Sequence, residues 1–245
     1  MSIYQKLGAY PSGFEENDNQ RSDFVRQLTL LQLEHMDQMK LKTKSSLAPI
    51  PKTLVRYWHD LDNIPDDVNH CIQTWNNLAQ EGFKFRNFCD ETARLYISEK
   101  YGPQQLEAFS LCYHPAMRCD YFRMCFLLAE GGFYVDADDE LVGDGWKKLL
   151  TDNKMKMQPL CYDIAACRML PASKIWDVGL STSGRIFYVN NNPLIAPANH
   201  PILQRALSRA TEKLLDRSHF PEIQSTTGPG NLTASLALYA QETIK

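Results

Sequence analysis

Two short groups of charged side chains have the types and spacing to act together: Asp120 with Arg123, and Asp136 with Asp138. The first two residues are three apart, which places both side chains on one face of a helix. The second two are two apart, so in an extended segment both carboxylates point the same way. Such carboxylates repel each other unless a cation lies between them. We therefore expect a hard divalent ion, Mg²⁺ or Mn²⁺, with positions left open for phosphate oxygens.

The segment that must position these groups is predicted to be a helix, a glycine break and a strand. The helix begins near Pro115, which suits a first turn, and Gly131 is expected to follow its C-terminal end. After Gly131-Gly132, the apolar run 133–135 predicts a short strand that leads directly into Asp136. Ligands of open α/β sheets bind at the carboxyl ends of strands. The sequence therefore predicts a binding site at this strand end.

Strands and helices alternate on both sides of this segment. The predicted strands cover residues 50–58, 83–88, 133–135 and 186–189, and one further strand with its neighbouring loop is predicted within residues 160–169. The predicted helices cover residues 65–75, 91–101, 115–131 and 231–242, and a further one is opened by His200-Pro201. We also expect a short helix around Trp146, a turn at 190–193 and a tight loop at 226–230. This alternation favours an α/β sheet layered with helices.

The N-terminal part of the chain is predicted to be an extension to that domain. Residues 1–20 are polar, and Ser22 is expected to cap an amphipathic helix. Its apolar positions recur at helical spacing: Phe24, Leu28, Leu31, His35 and Met39. We expect this helix to end in the polar stretch before Pro49. The chain then divides into an N-terminal segment at 1–49 and one domain at 50–245.

Composition narrows the class of protein. The chain has 245 residues, 44% of them hydrophobic and 22% charged, which suits one globular domain with an appendage. A net charge of −3 argues against a nucleic-acid binder. The seven cysteines include no Cys-x-x-Cys pair, so neither a disulfide framework nor a zinc site is expected. Without a signal sequence or a run of about 18 apolar residues, we expect no membrane span and a cytoplasmic location, with contact to a membrane surface as the alternative.

The central motif resembles the signature of glycosyltransferases that have a sugar-binding region with a DXD motif. This family 32-like group includes initiating mannosyltransferases, capsular polysaccharide synthesis enzymes and clostridial glucosylating toxins. The matching residues are Asp120 and Arg123, then Gly131-Gly132-Phe133-Tyr134-Val135-Asp136-Ala137-Asp138. Three other segments resemble the same family: Ile50-Pro51-Lys52 leading to Trp58, Asn190–Asn192 with His200-Pro201, and Thr227-Gly228-Pro229. The resemblance covers roughly residues 50–235.

The resemblance implies a GT-A fold, Rossmann-like, and a nucleotide-sugar donor bound with Mn²⁺ or Mg²⁺. It implies that Trp58 stacks on the base and that Tyr134 lines the nucleotide pocket. Asp120 and Arg123 would hold the donor sugar or the diphosphate. Asp136 would contact ribose or sugar hydroxyls, and Asp138 would bind the metal. These roles suit the side chains, because arginine pairs well with phosphate and a metal neutralises a departing diphosphate.

The implied reaction is the transfer of a hexose from a UDP- or GDP-sugar to an acceptor hydroxyl, with retention of the anomeric configuration. Catalysis would be electrostatic and would rest on Arg123, Asp136 and Asp138. Asn191 and His200 are candidates for the acceptor or donor side. A glycan or lipid-linked glycan acceptor would fit polysaccharide or glycolipid synthesis, and a protein acceptor would fit a toxin-like enzyme.

Departures from the family pattern leave alternatives open. Arg56 follows the Ile-Pro-Lys segment where relatives usually have histidine or another residue, and Cys119 replaces a small serine or alanine. Relatives often add a metal ligand after the Thr-Gly-Pro loop, whereas this sequence ends soon after it, at Lys245. A non-catalytic protein that binds carbohydrate or nucleotide sugars is therefore one alternative. A phosphotransferase or phosphatase with Asp136 as nucleophile is another.

Overall fold

The computed structural model describes residues 7–36 and 49–243, which form two β-sheets with helices packed around them. The helices are α1 Asp18–Met36, α2 Asp66–Thr74, α3 Asp90–Lys100, α4 Pro103–Leu111, α5 Pro115–Glu130, α6 Ala172–Ile175, α7 Pro201–Leu215, α8 Ile223–Thr226 and α9 Pro229–Thr243. The strands are β1 Thr53–Tyr57, β2 Lys84–Phe88, β3 Gly132–Tyr134, β4 Pro159–Asp163, β5 Arg168–Met169, β6 Arg185–Val189 and β7 Leu194–Ala196. Short 3₁₀ helices span Phe14–Glu16, Asn76–Glu81 and Gly145–Leu150.

The first sheet has the strand order β2-β1-β3-β7. Strands β1, β2 and β3 are parallel, with Leu54 opposite Phe85 on one side and Phe133 on the other. Their carboxyl ends therefore meet at one edge, which we call the carboxyl edge. Strand β7 runs antiparallel to β3, with Leu194 opposite Tyr134. The predicted α/β class is confirmed, and β3 delivers Asp136 to the carboxyl edge.

The glycine pair between α5 and β3 is required by close backbone contacts. Gly131 and Gly132 have φ angles of 70° and 123°. A Cβ on Gly131 would lie 2.6 Å from the backbone nitrogen of Ala198, and one on Gly132 would lie 2.8 Å from the carbonyl oxygen of Thr53. Only glycine avoids both the φ strain and these clashes. The predicted break in the motif thus lets β3 begin directly against β1.

The second sheet is antiparallel, with the order β5-β4-β6, and α1 packs against its β6 strand. Phe24 and Val25 of α1 share a buried cluster with Phe187 of β6. Ser22 does not cap the helix, which begins four residues earlier at Asp18. Its hydroxyl instead accepts the Phe187 N–H at 2.5 Å and donates to the Arg185 carbonyl at 3.2 Å. The predicted helix exists, but Met39 and its expected end at 42–48 lie outside the described residues.

Most predicted elements are present, and several were missed. Helix α4 follows α3 after one break at Tyr101-Gly102, and the missed strand β7 begins directly after the predicted turn. The hairpin β4–β5 lies within a region that was expected to contain one strand. The tight loop predicted at 226–230 is shorter, since α8 ends at Thr226 and α9 begins at Pro229. No helix in the described ranges is long and apolar enough to cross a bilayer.

Candidate functional site

Arg123 is the centre of a buried polar network between α5 and the carboxyl edge. Its side chain is 2% exposed, and its Nη2 donates to Asp136 Oδ1 at 2.6 Å. The same nitrogen lies 3.4 Å from Asp120 Oδ1, and Nη1 donates to the Asn191 carbonyl at 2.5 Å. Because two carboxylates surround the guanidinium, the pKa of Arg123 is held above its ordinary value despite the burial. The two predicted charged groups therefore form one network.

Asp120 is the second buried member of this network. The Asn191 Nδ2 donates to Asp120 Oδ1 at 2.8 Å, so the loop after β6 is joined to the helix face. Burial raises the pKa of Asp120 to about 7, although Arg123 and the Asn191 amide favour its charged form. A carboxyl group of this kind is suited to a hydrogen bond with a sugar hydroxyl, which both donates and accepts. A salt bridge on the protein surface would not bury Asp120 in this way.

The acidic segment after β3 forms a turn. The Asp139 N–H donates to the Asp136 carbonyl at 3.2 Å, so the chain is not extended through Asp138 as we assumed. Asn192 holds this turn from two sides: its Oδ1 accepts the Asp136 N–H at 2.9 Å and its Nδ2 donates to Asp139 Oδ2 at 2.8 Å. The neighbouring carboxylates consequently differ in surroundings. Asp136 faces Arg123, whereas Asp138 is exposed.

The acidic turn has the chemistry of a partial site for a hard cation. Burial raises the pKa of Asp139, and the adjacent carboxylates of Asp136 and Asp138 add to this effect. Asp138 makes no side-chain hydrogen bond to the described part of the chain, so its oxygens are free for a cation. Within residues 7–36 and 49–243, however, no three acidic, histidine or cysteine side chains converge on one point. A divalent ion held by Asp138 would need further oxygens from a ligand or from water.

Trp58 lies at the same edge of the sheet. It follows β1 directly, and its N–H continues the ladder by donating to the Phe88 carbonyl at 2.9 Å. The side chain is half-buried, and its indole Nε1 is buried without a partner in the described residues. Because β1 and β3 are adjacent and parallel, Trp58 and the acidic turn extend from neighbouring strand ends. The position is compatible with the role that the resemblance implies.

Tyr134 lies deeper than its implied role requires. The residue is 0% exposed, and its ring lies 4.2 Å below the Arg123 guanidinium carbon. Its hydroxyl lies 2.9 Å from the Cys119 Sγ, and that thiol also lies 3.5 Å from Asp136 Oδ1. In this structure Tyr134 therefore supports Arg123 from beneath and does not line an open pocket. Burial raises the pKa of Cys119 to about 12, so the thiol is neutral.

The structure does not bring His200 to the site. Gly132, the first residue of β3, is opposite Ala196, the last residue of β7, so His200 follows at the other edge of the sheet. There its Nδ1 accepts the Ile202 N–H at 3.3 Å and caps α7. Burial lowers the pKa of His200 to about 4. The prediction of an acceptor or donor role for this residue is corrected to a helix cap.

Sequence reasoning missed Asn192 as a separate member of the site. Its neighbour Asn191 was predicted, and the structure joins Asn191 to both Asp120 and Arg123. Asn192 lay in the same three-asparagine run, which could have suggested side-chain hydrogen bonds to a nearby turn. What the sequence did not reveal was strand β7, which brings this run alongside the end of β3.

Comparisons with known proteins agree with this geometry. Residues 65–156 match the family model described as a glycosyltransferase sugar-binding region containing the DXD motif. Over 108 residues the chain is 27% identical to the initiation-specific alpha-1,6-mannosyltransferase of Saccharomyces cerevisiae, a match covering 41% of this chain and 22% of that protein. Among solved structures, the PaToxG glycosyltransferase has a TM-score of 0.57 and 16% identity, with 94% of this chain and 84% of that chain covered.

These findings confirm the resemblance predicted from the sequence. The matched residues 65–156 include the predicted residues Asp120, Arg123, Tyr134, Asp136 and Asp138. The structural likeness over nearly the whole chain confirms the glycosyltransferase, GT-A-type fold. Trp58 and Asn191 lie outside the matched residues, and the structure places them at the same edge. The chain spans 22% of the length of the curated relative.

Proposed function

We propose that this chain, which carries a DXD glycosyltransferase region on a GT-A-type fold, is a metal-dependent hexosyltransferase. The donor would be a UDP- or GDP-hexose and the acceptor a hydroxyl group, with retention at the anomeric carbon. The observation that carries the proposal is the network of Asp120, Arg123 and Asp136, built by residues of the matched region beside the exposed Asp138.

The donor sugar would bind against the buried part of this network. Asp120 and Arg123 offer a carboxyl group and N–H donors on one helix face, and Asn191 keeps both in place. Since these contacts exist before a ligand arrives, little reorganisation is needed when charge develops on the leaving group. Arg123 would contribute to that stabilisation, and Trp58 would hold the base at the neighbouring strand end.

Asp138 is the residue we propose to hold the divalent ion, Mn²⁺ or Mg²⁺. Its exposed carboxylate fits a hard cation that keeps positions for phosphate oxygens and water. When bound, the ion would supply charge neutralisation for the departing nucleoside diphosphate. Asn192 keeps the turn around Asp138 in shape by its bonds to Asp136 and Asp139.

The alternative with Asp136 as a nucleophile receives no support from its surroundings. Its Oδ1 already accepts a hydrogen bond from Arg123 at 2.6 Å. Such a charge-assisted bond lowers the nucleophilicity of a carboxylate. Asp136 is better placed to orient Arg123 and to meet ribose or sugar hydroxyls.

The test is a donor assay with a matched pair of carboxamide variants. A screen of UDP- and GDP-hexoses with Mn²⁺ should reveal metal-dependent release of nucleoside diphosphate. Asp138→Asn should lower that rate by about 100-fold or more, because the metal supplies several kcal/mol of stabilisation. Asp144→Asn serves as the control, since Asp144 is also exposed and also lies in the matched region. Its rate should remain that of the unsubstituted protein.

A second candidate function is nucleotide-sugar binding without transfer, which the small number of metal ligands around Asp138 among the described residues favours. Calorimetry distinguishes the two functions. Tight donor binding with no release of nucleoside diphosphate, under every metal tested, would exclude the transferase and support the binding protein.

The acceptor is proposed to be a glycan, a lipid-linked glycan or a protein, in polysaccharide or glycolipid synthesis or in a toxin-like reaction. A cytoplasmic location also remains a proposal. It is supported by the cysteines, because all seven lie in the described residues and all are free thiols.

A further inference from the structure

Two exposed aromatic rings lie together on the surface next to α5. Tyr113 is 48% exposed and Phe220 is 79% exposed. Their ring centroids are 4.9 Å apart and the ring planes are inclined by 38°. Among the other exposed large apolar side chains of the described residues, Leu95 and Val178 are aliphatic, and Trp176 is an aromatic residue that is 41% exposed. An exposed pair of rings in contact is a surface feature that commonly marks a binding site.

The path of α7 places this pair at the carboxyl edge. Asn199, just before α7, donates its N–H to the Leu128 carbonyl near the end of α5. Further along, Thr211 of α7 lies 2.7 Å from the Tyr121 hydroxyl, which is earlier in α5. The two helices are therefore antiparallel, and the loop after α7 returns to the N-terminal end of α5. That loop contains Phe220, and Tyr113 immediately precedes the α5 cap.

The distance from this pair to the donor network suits an acceptor. His114, next to Tyr113, caps α5 through its Nδ1, which accepts the Ala116 N–H at 3.1 Å. Asp120 is six positions after His114 in the sequence, so these two residues lie about 9 Å apart along the axis of α5. Side chains of a helix lean toward its N-terminus, which brings the Asp120 carboxyl group nearer to the rings. A short oligosaccharide extending from the donor sugar can reach them.

Contacts within the chain hold the loop that carries Phe220. Arg217, in the loop of Phe220, lies 3.4 Å from Glu107 of α4, close in sequence to Tyr113. Asp216 accepts the Ser218 N–H at 2.9 Å and the Ser218 hydroxyl at 2.6 Å, which forms a turn at the base of the same loop. The loop that carries Phe220 is therefore tied both internally and to α4, the helix that precedes Tyr113.

We infer that Tyr113 and Phe220 form an acceptor subsite that binds a pyranose ring of a carbohydrate acceptor by stacking. The apolar C–H face of a sugar suits an aromatic ring, while its hydroxyls suit Arg217, Ser218 and His219, the exposed polar residues that precede Phe220 in the same loop. An extended apolar partner would match two rings beside such polar residues poorly. This inference rests on the proposed transferase function, and it names the acceptor class as carbohydrate.

The experiment compares glycan binding by the full chain and by three variants. Short oligosaccharides of mannose, glucose and N-acetylglucosamine are the probes, and saturation-transfer NMR detects contact with the protein. Phe220→Ala should weaken the binding of the recognised oligosaccharide about tenfold. Phe220→Trp should restore binding, because it returns an aromatic face. Leu95→Ala is the control, since Leu95 is 62% exposed on α3 and carries no aromatic ring.

Kinetics supply the second readout. In Phe220→Ala, the KM for the acceptor should rise about tenfold, whereas donor hydrolysis without acceptor should be unchanged. Equal glycan binding by Phe220→Ala and the unsubstituted chain would overturn the inference, as would transfer to a protein or lipid acceptor that the substitution does not affect. Absence of donor binding and hydrolysis would instead refute the proposed function, and the NMR comparison would still decide whether the rings bind sugar.

Discussion

Two buried arginines near the carboxyl edge differ in how their charge is balanced. Arg123 is surrounded by the carboxylates of Asp136 and Asp120. Arg56 of β1 is also 2% exposed, but its Nη2 makes one long bond of 3.4 Å to the Ile72 carbonyl and its Nε has no partner in the described residues. Burial alone lowers the pKa of Arg56 to about 10. The two residues should therefore respond in opposite ways to an apolar substitution.

Arg123→Met should lower the free energy of unfolding by about 3–5 kcal/mol, because it leaves the buried Asp120 and the partly buried Asp136 without their shared cation. Arg56→Met should be neutral or should raise it by about 1 kcal/mol or more, because it removes an uncompensated buried charge. Urea denaturation of both variants measures the difference. A large loss of stability in Arg56→Met would show that its guanidinium has a stronger partner than the Ile72 carbonyl.

The residues of the site were more predictable than their roles. The spacing of Asp120 and Arg123 correctly indicated one helix face, since that follows from the helix repeat alone. The expectation for Asp136 and Asp138 failed because it assumed an extended backbone, whereas the chain turns at Ala137-Asp138. Tyr134 was expected to line a pocket, yet strand alternation cannot tell whether α5 covers that face of β3. Burial depends on the packing partner, which local sequence does not specify.

At the level of elements, α7 depends on a cap that is sensitive to pH. His200 accepts the Ile202 N–H through its Nδ1, and this bond requires the unprotonated nitrogen. Burial lowers the pKa of His200 from 6.5 to about 4. The unfolded chain thus binds this proton more readily than the folded chain. Stability from this group is complete above pH 6.5 and is lost as the pH falls toward 4.

The prediction is that the unsubstituted protein loses about 2 kcal/mol more stability than His200→Asn when the pH is lowered from about 7 to about 5. Asparagine can accept the same helix N–H but does not titrate. Urea denaturation at the two pH values provides the measurement. His70→Asn, an exposed position on α2, controls for replacing a histidine. Equal losses in the unsubstituted protein and His200→Asn would show that the His200 ring does not stay neutral in the folded protein.

The elements that the sequence predicted have strong local signals. Strand β1 has β-branched and aromatic residues after a proline, and α5 has a proline start and a glycine end. Strand β7 was missed because three residues, Leu194–Ala196, are too few to establish a pattern. Helix α4 was missed because a glycine-proline pair such as Gly102-Pro103 commonly ends a helix, although proline also suits a first helical turn. Antiparallel pairing of β7 is a long-range contact, and it determines that the asparagine run and His200 lie at opposite edges of the sheet.

At the scale of the whole molecule, two buried cores share elements. The larger core packs α5 and α7 against the first sheet and includes Val189 of β6 and Leu232 of α9. The second core, between α1 and the second sheet, includes Phe187 of β6 and Ala237 of α9. Strand β6 and helix α9 therefore contribute to both. Because β6 leads directly into Asn191 and Asn192, the second core also supports the candidate site.

This sharing predicts that the segment before residue 49 unfolds in the same cooperative transition as the rest of the chain. The division at residue 49 would then not separate two independently stable units. Phe24→Ala removes a ring that is 2% exposed and lies 5.1 Å from the ring of Phe14. Loss of this ring should lower the free energy of unfolding by about 3–5 kcal/mol. The substitution should also destabilise the first sheet, although Phe24 does not contact that sheet.

A Trp176→Phe background allows this to be measured. The remaining tryptophans all lie beside the first sheet: Trp58 follows β1, and Trp75 and Trp146 belong to a third buried cluster that contains Leu54 and Phe133. Their fluorescence then reports the first sheet, whereas far-UV circular dichroism reports the whole chain. In a cooperative molecule both signals follow one transition, and Phe24→Ala should move both midpoints by the same amount. Cys112→Ala, in the larger core, is the matched substitution and should also move the two signals together. If Phe24→Ala produced an early transition in circular dichroism while the fluorescence midpoint stayed unchanged, α1 and the second sheet would form a separate unit, and the division at residue 49 would have to be redrawn to include β4, β5 and β6.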